Sequence, residues 1–311
     1  MKKTLFFIFI IFISCGGTTK SEIAITSPKN DVEKLNLREK VKSISTEFYE
    51  VSPYTGELEL ATVYSTIIQA YPKTVMSFNK DGYMIGREDY NADNELYLKY
   101  TLKLRPDNQL ELQVKEGLYL ETSTISNWYN NQNLLIKSVE MDGKTIHCQD
   151  FYKYNELGKE IERIHEYSRS KNIDRFVSEY NEQGILIKQI QYDENGNKEQ
   201  SIEYIYNKHG LLYKEILKDE VGNLTSEKIY EYNKDGFEVN RSIRGNSYTC
   251  TIKNDYNTLN DKVSTVIKAR DKEVWTFSYK YDEKNNWIKR ISYLNDKKKY
   301  EEIREIEYYD Y

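Results

Sequence analysis

Tyr206-Asn207-Lys208-His209-Gly210-Leu211-Leu212 is one copy of a unit that recurs along most of this 311-residue chain. An aromatic residue followed by Asn or Asp stands at Phe78, Tyr129, Tyr154, Tyr180, Tyr206, Tyr232, Tyr256 and Tyr281. Apart from one double gap after Phe78, the steps are 25, 26, 26, 26, 24 and 25 residues. The double gap holds a worn copy, Leu104-Arg105-Pro106-Asp107-Asn108. A fixed period of this size is the mark of a repeat architecture.

The unit reads as a turn with strands on both sides. An Asn side chain can accept from its own backbone two residues on, which starts a turn. Four residues after each aromatic stand Gly82, Asn133, Gly158, Gly184, Gly210, Gly236, Asn260 and Asn285. Gly and Asn enter the left-handed backbone region most cheaply, so this position closes the turn. Before it run period-two segments such as Ile202-Glu203-Tyr204-Ile205-Tyr206 and Phe277-Ser278-Tyr279-Lys280-Tyr281. β-Branched and aromatic residues at that period favour strands. Seven residues after the aromatic stand Ile85, Ile136, Ile161, Ile187, Tyr213, Val239, Val263 and Ile288, which implies a buried face on the outgoing strand.

A second turn lies about twelve residues on, as in Tyr192-Asp193-Glu194-Asn195-Gly196 and Lys218-Asp219-Glu220-Val221-Gly222. Each unit is therefore a two-strand hairpin with no segment left for a crossover helix, so successive strands are antiparallel neighbours. The expected fold is all-β: a long antiparallel meander of β-hairpins, roughly eighteen strands by the repeat spacing. A flat sheet of that many strands, each twisted by roughly 20–25° from the next, is disfavoured, so it should curl or spiral.

Four segments follow: a signal peptide over 1–14, a tether over 15–35, N-terminal lead-in strands over 36–71, and the repeat array over 72–311. Met1-Lys2-Lys3-Thr4 is a basic start, and Leu5 to Ile13 is an apolar run too short to span a bilayer but suited to a secretion signal. Residues from Gly16 on are small and polar, as a tether requires. Net charge is −5, and loss of Lys2 and Lys3 with the leader gives −5 − 2 = −7. Lys and Arg are scattered rather than striped, which speaks against nucleic acid as a partner.

Little in the chain points to catalysis. His147 adjoins Cys148, but neighbours on a strand face opposite ways. No His or Cys pair has metal-ligand spacing, and no phosphate-binding loop is present, so neither metal nor cofactor is expected. Adjacent carboxylates such as Glu160 and Glu162, or Glu301 and Glu302, read as solvated strand faces. Cys148 and Cys250 hold the same register four repeats apart, nearly 40 Å in an open array by the usual strand spacing. Two free, buried thiols are expected, and a bridge between them would require the sheet to close on itself. Tyr152, Tyr204, Tyr230 and Tyr279 share a register two residues before the turn aromatic. Exposed, they would form a track for sugar rings or an extended partner; buried, they are core.

The aromatic-[Asn/Asp]-x-x-Gly unit, seen in Tyr180-Asn181-Glu182-Gln183-Gly184-Ile185-Leu186, resembles the YD repeat of Rhs-type proteins. With a Val-Lys-Ser-Ile strand at Val41–Ile44 before the repeats, the chain also resembles repeat lipoproteins of Bacteroidetes-type bacteria. The likeness covers about residues 37–311. In Rhs proteins such strands wind into a shell around a toxin. This chain is far shorter and has no self-cleavage or toxin segment, so the resemblance implies hairpin geometry and not delivery. Ile13-Ser14-Cys15 resembles the lipobox of bacterial lipoproteins, with Phe12 in place of the usual Leu. That resemblance implies cleavage before Cys15, lipid on its sulfur, and a cell-envelope location, with Gly16 favouring the outer membrane.

The expected role is a lipid-anchored, non-catalytic binding or scaffolding module. Its partners would be the membrane, through Cys15, and a protein or glycan. One rival is an immunity-like or structural protein that pairs with another protein's sheet edge. The other is a carboxylate-based hydrolase.

Overall fold

The computed structural model describes residues 29–52, 54–61, 71–118 and 120–310. The proposed signal peptide, Cys15 and most of the tether lie outside them. One helical turn, α1 (Asp31–Lys34), is held by a reciprocal capping box between Asn30 and Glu33. Among the described residues all other regular structure is strand, from β1 (Val41–Val51) and β2 (Leu58–Leu60) to β21 (Lys297–Tyr308).

From β3 (Lys73–Phe78) to β21, each strand is antiparallel to the next in chain order. β1 then pairs with β21 along one side and with β3 along the other. The curled sheet therefore closes, and twenty of the 21 strands form a ring. The short β2 extends the far end of β1. At the usual strand spacing and tilt, a ring of twenty is about 40 Å across between backbone walls. Cross-strand side-chain hydrogen bonds, ion pairs and ring contacts join strands no more than two places apart, which makes the wall a single layer. The repeat spacing undercounts the strands because it omits β1, β2 and β21.

The turn chemistry accounts for the corners. The residue four after each aromatic has positive φ in all eight copies, from Asn133 at 59° to Gly236 at 83°. The worn copy does the same with Asn108 at 61°. In the copy quoted above, the Asn207 side chain accepts from the His209 and Leu211 backbone N–H groups, at 2.9 and 3.1 Å. The Gly210 N–H donates to the Asn207 carbonyl at 3.0 Å. Nearly every repeat turn is followed by a register shift, as between Glu179 and Tyr180 or between Ile205 and Tyr206. A bulge bends its strand and sharpens the twist, and bulges repeated around both rims curve the sheet until it meets itself.

Cross-strand register sorts the residues onto two faces. Ile44, Phe48, Phe78, Leu98, Phe176, Tyr204, Tyr230 and Trp287 share one face and are all buried. A closed ring crowds side chains on its concave side, so this is the inner face. The cluster at the N-terminal end agrees: Val32 and Leu37 pack there against Val41, Ile44 and Phe78. Residues 30–40 strap one rim. The Val32 N–H donates to the Gly82 carbonyl at 3.0 Å, and Asn286 exchanges bonds with the Arg38 backbone at 2.7 and 2.9 Å. The strap approaches Gly82 so closely that an added Cβ would stand 2.7 Å from the Asn30 side chain.

One expectation is corrected. Ile85, Ile136, Ile161, Ile187 and Tyr213 are not buried; they are 37–43% exposed. They sit in the bulges at one mouth of the ring, and a single-layer wall supplies no opposite sheet to cover them.

Candidate binding surface

The inner wall is built from the turn aromatic of each repeat. The Tyr129 hydroxyl donates to the Leu110 carbonyl at 2.6 Å, Tyr154 to Leu135 at 2.7 Å, and Tyr180 to Glu160 at 2.7 Å. Tyr232 reaches Leu212 and Tyr256 reaches Glu238, both at 2.9 Å. In every case the acceptor is the first residue of the preceding repeat's outgoing strand, at its bulge. Each of these five tyrosines therefore satisfies a backbone carbonyl that the bulge of the preceding repeat frees, whereas Tyr281 donates to the Asp261 carboxylate at 3.0 Å. Sequence reasoning did not find this latch. The available signal was Tyr rather than Phe at an inward site: Phe78, the first copy, has no preceding repeat to bond.

The four tyrosines singled out from their register stand on this same inner face. Tyr204 and Tyr230 are only 7 and 8% exposed. Tyr152 and Tyr279 are half-buried. The Tyr279 hydroxyl donates to the Lys262 carbonyl at 2.6 Å, and its ring lies 5.9 Å from Tyr281. Burial pushes all four phenols above their ordinary pKa. The structure brings them into one wall and packs Tyr204 and Tyr230 within it. The turn glycines Gly82, Gly158, Gly184, Gly210 and Gly236 all lie at the corners with positive φ.

Charges stand between the rings and are mostly matched. Arg87 holds both oxygens of Asp89 at 3.0 Å, and Thr74 donates to Asp89 at 2.7 Å. Lys228 binds Glu215 at 2.9 Å, Arg241 binds Glu238 at 2.7 Å, and Arg290 forks onto Glu302. Several guanidinium groups lie over aromatic faces: Arg163 over Phe176 at 4.5 Å, Arg241 over Tyr230 at 5.4 Å, and Arg290 over Trp287 at 5.2 Å. Such stacking lets a planar cation lie along a half-dry wall.

The candidate chemical groups fall in separate places. His165 Nδ1 lies 2.9 Å from Asp150, with its ring against Tyr167. Cys148 is buried and donates to Glu140 at 3.4 Å. Burial and Glu140 push its thiol up to about 12, so it holds its proton at neutral pH. Cys250 is half-buried, and both are free thiols eight strands apart around the ring. Glu160 faces inward, and burial raises its pKa. Glu162 points outward, where Lys153 and Arg175 hold its pKa below the usual range. Glu301 and Glu302 likewise take opposite faces, one bound by Lys289 and Lys298, the other by Arg290. Strand alternation separates Glu301 from Glu302, and the bulge between Glu160 and Glu162 separates the other pair. Among the described residues, no three His, Cys, Asp or Glu side chains are grouped to hold a metal ion.

The outer face carries rows of ion pairs. Lys99 meets Glu88 at 3.0 Å, Lys188 meets Glu179 at 3.3 Å, and Lys218 meets Glu203 at 2.6 Å. Glu227 sits between Lys214 and Arg244. Between these rows runs a thin line of small and branched apolar residues such as Val177, Ile190 and Ile216.

No protein-family model matches the chain, and no curated protein does. Solved structures of similar shape exist at low identity. One is the complex titled TcdB2-TccC3-Cdc42, 11% identical, with a TM-score of 0.37; the match covers 78% of this chain and 16% of that one. The chain thus spans about a sixth of that protein. A second is a porin-like protein from Bacteroides uniformis, 9% identical, with a TM-score of 0.36, covering 87% of this chain and 98% of that one. A third is a porin-like protein from Bacteroides vulgatus, 10% identical, with a TM-score of 0.29 and 87% and 99% coverage. At such scores none of these likenesses bears on activity or partner.

Proposed function

We propose that this protein is a lipid-anchored barrel of the bacterial cell envelope that binds or scaffolds a protein or glycan and catalyses no reaction. The observation that carries this reading is the charge spread over the outer face of the closed wall. A barrel that spans lipid needs an apolar band about 25 Å tall on its outside, and a Lys or Arg there costs about 2–4 kcal/mol at the midplane. Here outward mid-strand positions hold Lys99, Glu162, Arg175, Lys188, Glu203 and Glu227. The barrel therefore stands in water, and its hold on the membrane falls to lipid on Cys15. Paired inner-wall charges and a protonated Cys148 support a binding role over a catalytic one. The ring also weighs against the edge-pairing rival. Among the described residues, only the three-residue β2 is laddered on one side alone, and closure removes the long free edges that augmentation uses.

Fractionation of cells carrying Cys15→Ser tests the anchor. The variant should leave the membrane fraction and appear in the soluble envelope fraction. A Cys15→Ser protein that stays with the membrane sinks the proposal. Cross-linking of the wild type in intact cells, followed by capture from the envelope, would identify the partner class.

A further inference from the structure

Arg304 lies on the inner face of β21, opposite Thr46 of β1. Its guanidinium carbon sits 3.3 Å from the centre of the Trp287 ring. Nε and Nη1 are shielded from solvent, and no acceptor among the described residues reaches either. The neighbouring carboxylates are already engaged. Glu302 receives Arg290 at 2.8 and 2.7 Å. Asp261 receives the Asn36 side chain at 2.9 Å and has Arg38 at 3.8 Å. Asp282 receives the Tyr308 hydroxyl and the Lys284 and Asn286 backbone N–H groups. Burial and the nearby Arg290 push the Arg304 pKa down to about 9, which still leaves it charged at neutral pH. Elsewhere on this wall Arg87, Arg241 and Arg290 are each matched to a carboxylate. Two buried guanidinium N–H sites left without acceptors are costly, and a ligand acceptor would offset that cost.

A cavity of about 450 Å³ opens beside Arg304 at the strapped rim. That volume lies within the range of small-molecule sites. Ile288, Ile306 and Tyr308 give it apolar walls. Lys284, 3.6 Å from the centre of the Tyr308 ring, adds a second cation. Asp282 and Glu283 supply acceptors, while Glu305, next to Arg304 on β21, turns its side chain to the outer face. The Asp282 and Glu283 carboxylates would repel a dianion such as phosphate. A singly charged planar group suits the flat guanidinium better.

We propose that this cavity binds a small ligand carrying one carboxylate, which pairs with Arg304, and hydrogen-bond donors that face Asp282 and Glu283. A sugar acid offers hydroxyl donors, and an amino acid or dipeptide offers an ammonium group; the shared chemistry is the carboxylate flanked by donors. This site goes beyond the scaffolding role and does not depend on it or on the lipid.

The test is thermal unfolding of the purified full chain with glucuronate, with diglycine, and with glucose as the uncharged control, at constant ionic strength. One of the two carboxylates should raise the wild-type Tm by ~3 °C at saturation, glucose should not, and the active probe names the source. Arg304→Met should unfold at or above the wild-type temperature without ligand, and should show no ligand shift. A wild type unmoved by both carboxylates overturns the proposal, as does an equal shift in wild type and variant. If the Met variant loses its fold, Ile288→Phe decides, because it fills the cavity while Arg304 stays. Loss of the ligand shift then supports the site, and an unchanged shift rejects it.

Discussion

The Tyr154 hydroxyl donates at 2.7 Å to the carbonyl of Leu135, the bulge residue that opens the outgoing strand of the preceding repeat. The two residues are 19 apart in sequence, and the same bond recurs along the array at nearly the same separation. Replacing Tyr154 by Phe keeps the ring and leaves the carbonyl without its donor. The expected cost is about 1 kcal/mol, read from urea or thermal unfolding. Tyr129→Phe and Tyr232→Phe lie far apart on the ring, so their costs should add when combined.

The repeat corners should respond to backbone conformation rather than to crowding. Gly236 has φ of 83° and nothing within 4 Å of where a Cβ would stand. Gly236→Ala should therefore cost about 1 kcal/mol through φ alone, and Gly236→Asn distinctly less. Equal losses for the two variants would show that the corner does not need the left-handed region.

Asn207→Ala removes the acceptor of the His209 and Leu211 N–H groups and should cost about 1–2 kcal/mol. Asn207→Asp should be nearly neutral. Asp193 already makes the equivalent bonds to Asn195 and Asn197 at a second-type turn, at 2.9 and 2.7 Å. Differential unfolding of the two variants checks this.

Glu162 is held below the usual carboxylate range, first by its bond to Lys153 and then by Arg175. A depressed folded pKa contributes stability that is present above the unfolded value and lost as pH falls through the folded one. The Tm gap between wild type and Glu162→Gln should therefore be widest near neutral pH. It should shrink as pH drops from about 5 toward 3. A gap that holds constant over that range would mean the ion pairs do not set it.

Cys148 should resist thiol reagents in the native state. With its pKa at about 12, almost no thiolate exists at pH 8, and the side chain is buried. Cys250 is half-buried and should label faster. Site-resolved mass spectrometry after brief alkylation, with and without denaturant, measures both; equal native labelling would contradict the burial of Cys148.

The local fold was legible because its signal is local. Gly and Asn at one position of a 25-residue period specify the corners, and period-two aromatics specify the strands between them. Closure was not legible, since no residue pattern in Val41–Val51 announces that it will pair with Lys297–Tyr308. Strand curvature, accumulated over many bulges, decides that meeting. The spacing of Ile85, Ile136, Ile161 and Ile187 implied burial on the assumption of a second layer, which a hollow ring lacks. The latch tyrosines were visible as aromatics, but their acceptors are backbone atoms in another repeat. Arg304 was invisible as a candidate because inward-facing charges are common along this wall. Its distinction is an unsatisfied environment, which only three-dimensional placement shows.

The seam joins the first strand of the ring in chain order to the last, with Ile44 opposite Ile306. A growing chain carries its first strand for more than two hundred residues before the matching one is made. Until then both outer strands of the unfinished sheet present raw backbone to any neighbour. A message cut short near its end should thus yield an aggregating product rather than a slightly smaller barrel, and synthesis in the cell must keep that early strand occupied or shielded until the last one arrives.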